Sequence, residues 1–156
     1  DGWWSRGLGD VYKRQVDDYN SIYKVKKDIK INYENDGKKE YFINGIENRI
    51  EQMIANLLDN SISFTEKGGN IIVNISITSN RKITVKIIDE GQGFKEKDTS
   101  KIFRRFYSNR PDKFGEHSGL GLNIVKNLVE LHDGKIVASN RPNNKGAIME
   151  ISFPST

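Results

Sequence analysis

The sequence predicts an α+β fold, a two-layer sandwich whose mixed, mostly antiparallel β-sheet carries about three helices on one face. Three observations lead there. Alternating apolar runs come in pairs joined by short polar turns, and two longer segments repeat apolar residues at helical spacing. The order β-β-α-β-β-loop-α-β-β interleaves the two kinds, with a short further helix around "DTSKIFRRFY" in the loop. At 156 residues and 35% hydrophobic content the chain suits one domain with a real core.

The first fifteen residues, "DGWWSRGLGDVYKRQ", differ from the rest. They hold both tryptophans and three of the fourteen glycines, with no sustained period of 2 or 3.6. Residues 1–15 read as a non-native tail and are set outside the fold; a linker whose tryptophan pair packs on a neighbouring domain is the other reading. Residues 16–28 read as a linker or the end of a preceding helix, and residues 29–156 as the domain.

In "KDIKINYEN", Ile29, Ile31 and Tyr33 alternate with polar neighbours, and "NDG" then suggests a hairpin into "EYFING". Ile46, Ile50, Met53, Ile54, Leu57, Leu58 and Ile62 follow at helical spacing until "EKGG". In "NIIVNISIT" Ile71, Val73, Ile75 and Ile77 share a face, as do Ile83, Val85 and Ile87 in "KITVKIIDE"; the "SNR" link makes a hairpin. An irregular stretch runs from Gly91 to Ser118, long enough to suggest a functional lid. The helix "GLGLNIVKNLVELH" is apolar over more than half its circumference, so it should lie deep, with Gly134 as its C′ residue. "KIVASN" and "GAIMEISFP" close the chain as a last hairpin.

Composition narrows the function. The net charge of +4 is mild and its Lys and Arg are spread along the chain, apart from the denser "FRRFYSNRPDK". That patch suits the phosphates of a nucleotide as well as those of a polymer, and without a basic stripe nucleic acid is not expected as a partner. No apolar run approaches the roughly 18–20 residues of a membrane span, and no direct membrane contact is expected. The absence of cysteine excludes a disulfide scaffold and a thiolate metal site, and fits a reducing cytoplasm.

Three motifs bear chemistry. On the first long helix Asn56, Asn60 and Ser63 stand at i, i+4 and i+7, a polar stripe that Arg49 and Gln52 extend. Amide oxygens there are hard neutral ligands of the kind Mg²⁺ accepts when phosphates bring the charge; a solvent-facing stripe in an Asn-rich chain would look the same. "DEGQGF" puts Asp89 at a strand end, where a carboxylate can accept from an exocyclic amine while Gly91 and Gly93 let a flat ring approach; an ordinary Asp-Gly turn is the alternative. "GEHSGLGLNIVK" places glycines at a helix start, where orphan N–H groups and the dipole favour phosphate; Ser118 as a simple cap is the alternative. The spacing fits neither the dinucleotide fingerprint nor the P-loop.

In this order the motifs resemble those of the ATP-binding catalytic domain of bacterial sensor histidine kinases, within the wider Bergerat-fold ATPase group. "MIANLLDNSISFT" looks like the N box, "DEGQGF" the G1 box, "KIFRRFY" the F box and "HSGLGL" the G2 box, a likeness over roughly residues 29–154. The resemblance implies a protein histidine kinase domain that binds ATP and Mg²⁺. It would donate the γ-phosphoryl group to a histidine on a separate dimerisation domain, whose last helix residues 16–28 would end. Asp89 would take the adenine amino group, with Gly91 and Gly93 beside the ring. Asn60 would hold the metal, with Asn56 lining the same site. Arg105 would approach the γ-phosphate, Phe103 and Phe106 would anchor a lid over residues 95–117, and Ser118, Gly119, Leu120 and Gly121 would hold phosphate oxygens. Catalysis would rest on Asn56, Asn60 and Arg105.

The family's ATP-hydrolysing relatives carry a glutamate one turn before the metal-binding asparagine. Here Asn56 stands there, and an amide has no useful basicity, so slow hydrolysis is implied. Ser63 stands where the family often has a basic residue; Arg104, Arg110 or Lys113 could compensate. Neither histidine lies in anything like the family's "HE-R-P" phosphoacceptor helix, and His132, inside an apolar arc, is expected to be packed and hydrogen-bonded. Further partners implied are the parent protein's response regulator, and the location a cytoplasmic domain of an inner-membrane sensor. An anti-sigma-type serine kinase on the same fold, or a non-enzymatic nucleotide-sensing module, are the other functions the motifs allow.

Overall fold

Apolar side chains at alternate positions of successive strands fall into one continuous face, and that face decides the architecture. The computed structural model describes residues 3–37, 41–78, 80–94, 99–104, 121–142 and 145–154. The chain runs β1 (Trp3–Gly7), α1 (Leu8–Lys27), β2 (Lys30–Asn35), β3 (Phe42–Ile46), α2 (Glu47–Phe64), β4 (Asn70–Ile77) and β5 (Lys82–Asp89). A 3-10 turn (Thr99–Phe103), α3 (Gly121–Leu131), β6 (Lys135–Asn140) and β7 (Ala147–Pro154) follow. Five strands form one sheet in the order β2-β4-β5-β7-β6, parallel between β2 and β4 and antiparallel elsewhere. β1 and β3 make a separate antiparallel pair. The α+β class and the mixed, mostly antiparallel sheet are as expected.

Register aligns the core face. Val73 stands opposite Ile87 and Ile75 opposite Val85, while across the next ladder Ile83 faces Phe153, Val85 faces Ile151 and Ile87 faces Met149. All are buried and share one cluster with Ile50, Met53, Ile54, Leu57, Leu58 and Ile62 of α2 and Val125, Leu128 and Val129 of α3. The helices therefore cover this face. On the opposite face Lys86 and Glu150, paired in register, approach to 3.8 Å, beside a half-buried row of Ile72, Ile88 and Ile148.

Three features differ from the sequence reading. Leu8–Lys27 is one continuous helix, and Leu8, Val11, Tyr12 and Val16 are buried in the common core, although residues 1–15 were expected to lie outside the fold. Tyr19 donates from its hydroxyl to Asp59 Oδ1 (3.0 Å) and Lys27 Nζ donates to the carbonyls of Ile62 (3.0 Å) and Thr65 (2.9 Å), so α1 is tied to α2 along its length. The lysine thereby satisfies carbonyls left over at the end of α2.

The expected hairpin after "KINYEN" does not form. β2 pairs in parallel with β4, and on its other edge the Asn20 amide both donates to the Ile31 carbonyl and accepts from the Ile31 N–H, each at 2.8 Å. β3 pairs with β1 instead. The turn chemistry is real: Asn35 Oδ1 accepts from Gly37 N at 2.8 Å. Asp36, however, takes the N–H of Ile77 at 2.9 Å and the hydroxyl of Tyr41, tying the turn to the end of β4.

At the end of α3 the left-handed residue is Asp133 (φ 60), not Gly134. Gly134 N donates to Val129 O (2.9 Å) and Asp133 N to Glu130 O (3.1 Å), a Schellman closure with Gly134 one place beyond C′. Gly134 is needed for proximity: a Cβ there would lie 2.7 Å from the Ser152 carbonyl of β7.

Candidate nucleotide site

Asp89 holds the next core-facing position of β5 after Ile83, Val85 and Ile87, opposite Ile71, and is only 2% exposed. A lone carboxylate in an apolar row is costly unless hydrogen bonds or a ligand compensate. Two backbone donors do so in part. Gly91 N (2.9 Å) and Ala147 N (3.1 Å) both donate to Oδ1, and among the described residues nothing hydrogen-bonds Oδ2. Burial raises the Asp89 carboxyl above the usual carboxylate range, against the opposing pull of the two N–H groups and the Arg141 guanidinium.

The loop after Asp89 is packed tightly on its neighbours. A Cβ on Gly91 would stand 2.4 Å from the Phe64 carbonyl, so only glycine lets this loop touch the last turn of α2. Gly93 has φ 77, a left-handed conformation that favours glycine, and a Cβ there would meet Asn140 Oδ1 at 2.6 Å. The G1-like loop and the helix bearing the asparagine stripe thus converge.

On α2, Asn60 is 2% exposed and Asn56, one turn earlier, is half-buried. Ser63, also buried, donates from Oγ to the Asn60 carbonyl at 2.7 Å. Arg49 and Gln52, the proposed extension of the stripe, are exposed. α3 packs beside α2 and begins, as described, at Gly121. Phe103 is buried with Ile102, and its carbonyl accepts from Asn123 Nδ2 of α3 at 3.0 Å. Thr99 Oγ1 donates to the Ala138 carbonyl of β6 at 2.6 Å, so the F-box-like turn lies between α3 and β6.

Arg105, Phe106, Ser118, Gly119 and Leu120 lie outside the described residues, as do Arg110, Lys113 and His117. The structure therefore sets Gly91, two residues after Asp89, against the last turn of the helix of Asn56 and Asn60, Gly93 against the β6–β7 hairpin, and Phe103 against α3, which Gly121 opens. A separate cavity of about 270 Å³, lined by Asp10, Lys13, Tyr33 and Tyr41 among others, contains none of the expected site residues. Among the described residues no three His, Cys, Asp or Glu side chains group closely enough to hold a metal ion, and no helix is long and apolar enough to cross a membrane.

The β6–β7 hairpin, which carries no motif in the sequence, also reaches Asp89. Ala147 supplies one donor to Asp89, and Arg141 Nη1 approaches the Asp89 carbonyl at 3.4 Å. Gly146 has φ 139, and a Cβ there would fall 2.1 Å from the Asp89 carbonyl. The "G-A" of "KGAIMEI" offered only a glycine before a strand as a signal.

His132, 4% exposed, is packed as expected. Its Nδ1 lies 2.7 Å from the Leu128 carbonyl and its Nε2 3.1 Å from the Ile46 N–H. A carbonyl can only accept and an amide can only donate, which assigns the proton to Nδ1. The ring holds the end of α3 to the start of α2.

The fold is shared with known proteins. Residues 45–156 match the family model described as histidine kinase-, DNA gyrase B- and HSP90-like ATPase. The sensor protein ChvG of Agrobacterium fabrum is 37% identical over 153 residues, covering 94% of this chain and 26% of that protein. The catalytic domain of the histidine kinase ThkA, nucleotide-free, superposes with a TM-score of 0.82 at 25% identity, covering 100% of this chain and 99% of that one. ThkA in complex with the response regulator TrrA superposes at 0.77 and 23% identity over 99% of this chain and 42% of that one. The chain thus spans about a quarter of its curated relative. With that fold and these matches, the chain belongs to the family of histidine kinase-, DNA gyrase B- and HSP90-like ATPases, alongside the sensor histidine kinases.

Proposed function

We propose that this domain binds Mg-ATP and presents the γ-phosphoryl group to a histidine on a separate dimerisation domain of its parent protein. A response regulator would act downstream, as TrrA is bound by ThkA, and the domain would face the cytoplasm beneath an inner-membrane sensor. The observation that carries the reading is Asp89. A buried carboxylate with both backbone donors on Oδ1 keeps Oδ2 as an acceptor, the group an exocyclic amine requires.

The residues fit such a nucleotide. Asp89 would take the base amine, with Gly91 and Gly93 allowing the ring to approach the backbone. Asn60, a buried neutral amide, would hold Mg²⁺, and Asn56 would line the same place. When bound, Mg²⁺ would neutralise phosphate charge. No carboxylate cluster is needed for that, because the phosphates bring the anionic oxygens. Ser118, Gly119, Leu120 and Gly121 would hold phosphate oxygens, Arg105 would approach the γ-phosphate, and Phe103 would anchor the lid.

With Asn56 one turn before Asn60, that position holds no general base. Water is not activated there, and the γ-phosphoryl awaits a nucleophile positioned from outside. His132 cannot supply it, since Leu128 and Ile46 occupy both of its ring nitrogens.

The test is a titration with ATP and a non-hydrolysable analogue, with and without Mg²⁺, followed by addition of a histidine-bearing dimerisation domain. The expected result is Mg²⁺-dependent binding with slow turnover, then phosphorylation of the added histidine. Binding without transfer would leave a nucleotide-sensing module; transfer to a protein serine would indicate a serine kinase on this fold.

A further inference from the structure

Asn140, the last residue of β6, lies far in sequence from every motif above. Its side chain nevertheless closes a two-bond ring with Phe94: Oδ1 accepts from the Phe94 N–H at 2.6 Å and Nδ2 donates to the Phe94 carbonyl at 3.1 Å. The amide acts on Phe94 as a neighbouring strand would. Asn20 does the same for Ile31 at the far edge of the sheet. Only Asn has both a donor and an acceptor at this reach; Asp offers no donor when ionised, and Gln is a methylene longer.

The place of the clamp gives it significance. The adjacent Gly93 has a left-handed φ of 77, and its α-carbon lies so close to Asn140 Oδ1 that a Cβ would come within 2.6 Å. The next residue of the hairpin, Arg141, donates to the Asp89 carbonyl at 3.4 Å and from its own N–H to the Gly146 carbonyl at 3.0 Å. Ala147, across the hairpin, donates to Asp89 Oδ1. One hairpin tip therefore grips both ends of the run from Asp89 to Phe94. Ala147 and Arg141 fix the carboxylate end; Asn140 alone, among the described residues, bonds the Phe94 end by a side chain.

We propose that Asn140 is a positioning residue for base recognition, holding Gly93 and Phe94 so that the backbone beside the ring keeps a constant distance from the Asp89 carboxylate. The inference rests on the reading that Asp89 accepts from the base amine. Asn140 acts through the loop, and its loss alters which base fits rather than whether phosphates are held.

The experiment compares ADP with inosine diphosphate, which carries an oxygen where adenine has its amine, by competition against a fluorescent ADP analogue on the purified domain. For Asn140→Ala the ADP-to-IDP affinity ratio is expected to fall about five- to tenfold, the effect of losing one modest pair of hydrogen bonds. Asn140→Asp keeps the volume and the bond from Phe94 N–H but sets an anionic oxygen against the Phe94 carbonyl, so its ratio should fall at least as far. It serves as the measurement should the alanine variant fold poorly. A merely structural asparagine would lower both affinities together and leave the ratio unchanged, and an unchanged ratio in both variants overturns the proposal. Asp89→Asn separates the two readings. If it weakens ADP while both Asn140 variants keep the parental ratio, only the clamp is refuted; if it leaves ADP binding intact, base recognition by Asp89 fails and the clamp's role fails with it.

Discussion

Ile46, at the start of α2, donates its backbone N–H to Nε2 of His132, 86 residues further on, at 3.1 Å. Since Nδ1 is engaged with Leu128, one imidazole joins the opening of the asparagine helix to the closing turn of α3. Replacing His132 with alanine leaves the Ile46 amide without this partner and opens a void. The expected loss is about 2–4 kcal/mol of unfolding free energy, measured by urea denaturation. Phosphotransfer to an added dimerisation domain should persist in whatever fraction remains folded, since the ring performs no chemistry. Loss of transfer from fully folded variant would contradict that assignment.

Asp89 makes a prediction about pH. Burial holds its carboxyl above the ordinary range, so the folded protein keeps a proton at a pH where the unfolded chain has lost it. The group's contribution to stability is therefore fully present below the unfolded value and is lost as pH rises through the raised one. Asp89→Asn, which mimics the protonated form and can still accept from Gly91 and Ala147, should gain stability relative to the parent over that interval. ADP affinity should fall at least about tenfold in the same variant, because an amide is a weaker acceptor than a charged oxygen. Thermal melts across the acid range and calorimetric ADP titration give the two readouts.

For Asn60→Ala the expected outcome concerns the metal. ADP affinity measured in Mg²⁺ and in EDTA should differ in the parent and converge in the variant. If the difference survives intact, the metal is held by other groups.

Gly91→Ala tests the contact between the aspartate loop and α2. The new methyl would fall 2.4 Å from the Phe64 carbonyl, a backbone atom that cannot swing aside. A destabilisation of about 2–3 kcal/mol is expected, with nucleotide affinity falling too because the loop must lift from the helix. Equilibrium denaturation and ADP titration of the same preparation would show both.

Elements with a clean period were legible in the sequence. α2, the β4–β5 hairpin and the β6–β7 hairpin all follow from alternation or helical spacing of Ile, Val and Leu. α1 was not, because its buried side is built from Leu8, Val11, Tyr12 and Val16 among many charged residues, a spacing visible only once the tyrosines are counted as apolar. The β2–β3 reading failed for a different reason. "NDG" has the local chemistry of a hairpin turn, but Asn20 already occupies the edge of β2 that β3 would need. In the candidate site, Asp89, Asn56 and Asn60 stand out as motifs in the sequence. Asn140, Arg141 and Ala147 do not, since they act through long-range contacts inside an ordinary polar turn.

The middle position of β5 in its sheet has a kinetic corollary. Its amides, shielded on both flanks by β4 and β7, should be among the last to exchange with deuterium, while Phe94, held by one solvent-facing asparagine, should exchange orders of magnitude sooner. Within six residues the chain would pass from a well-protected central strand to a segment held by one side chain. A nucleotide seated there would touch both, and the protection it confers should concentrate at the loose end.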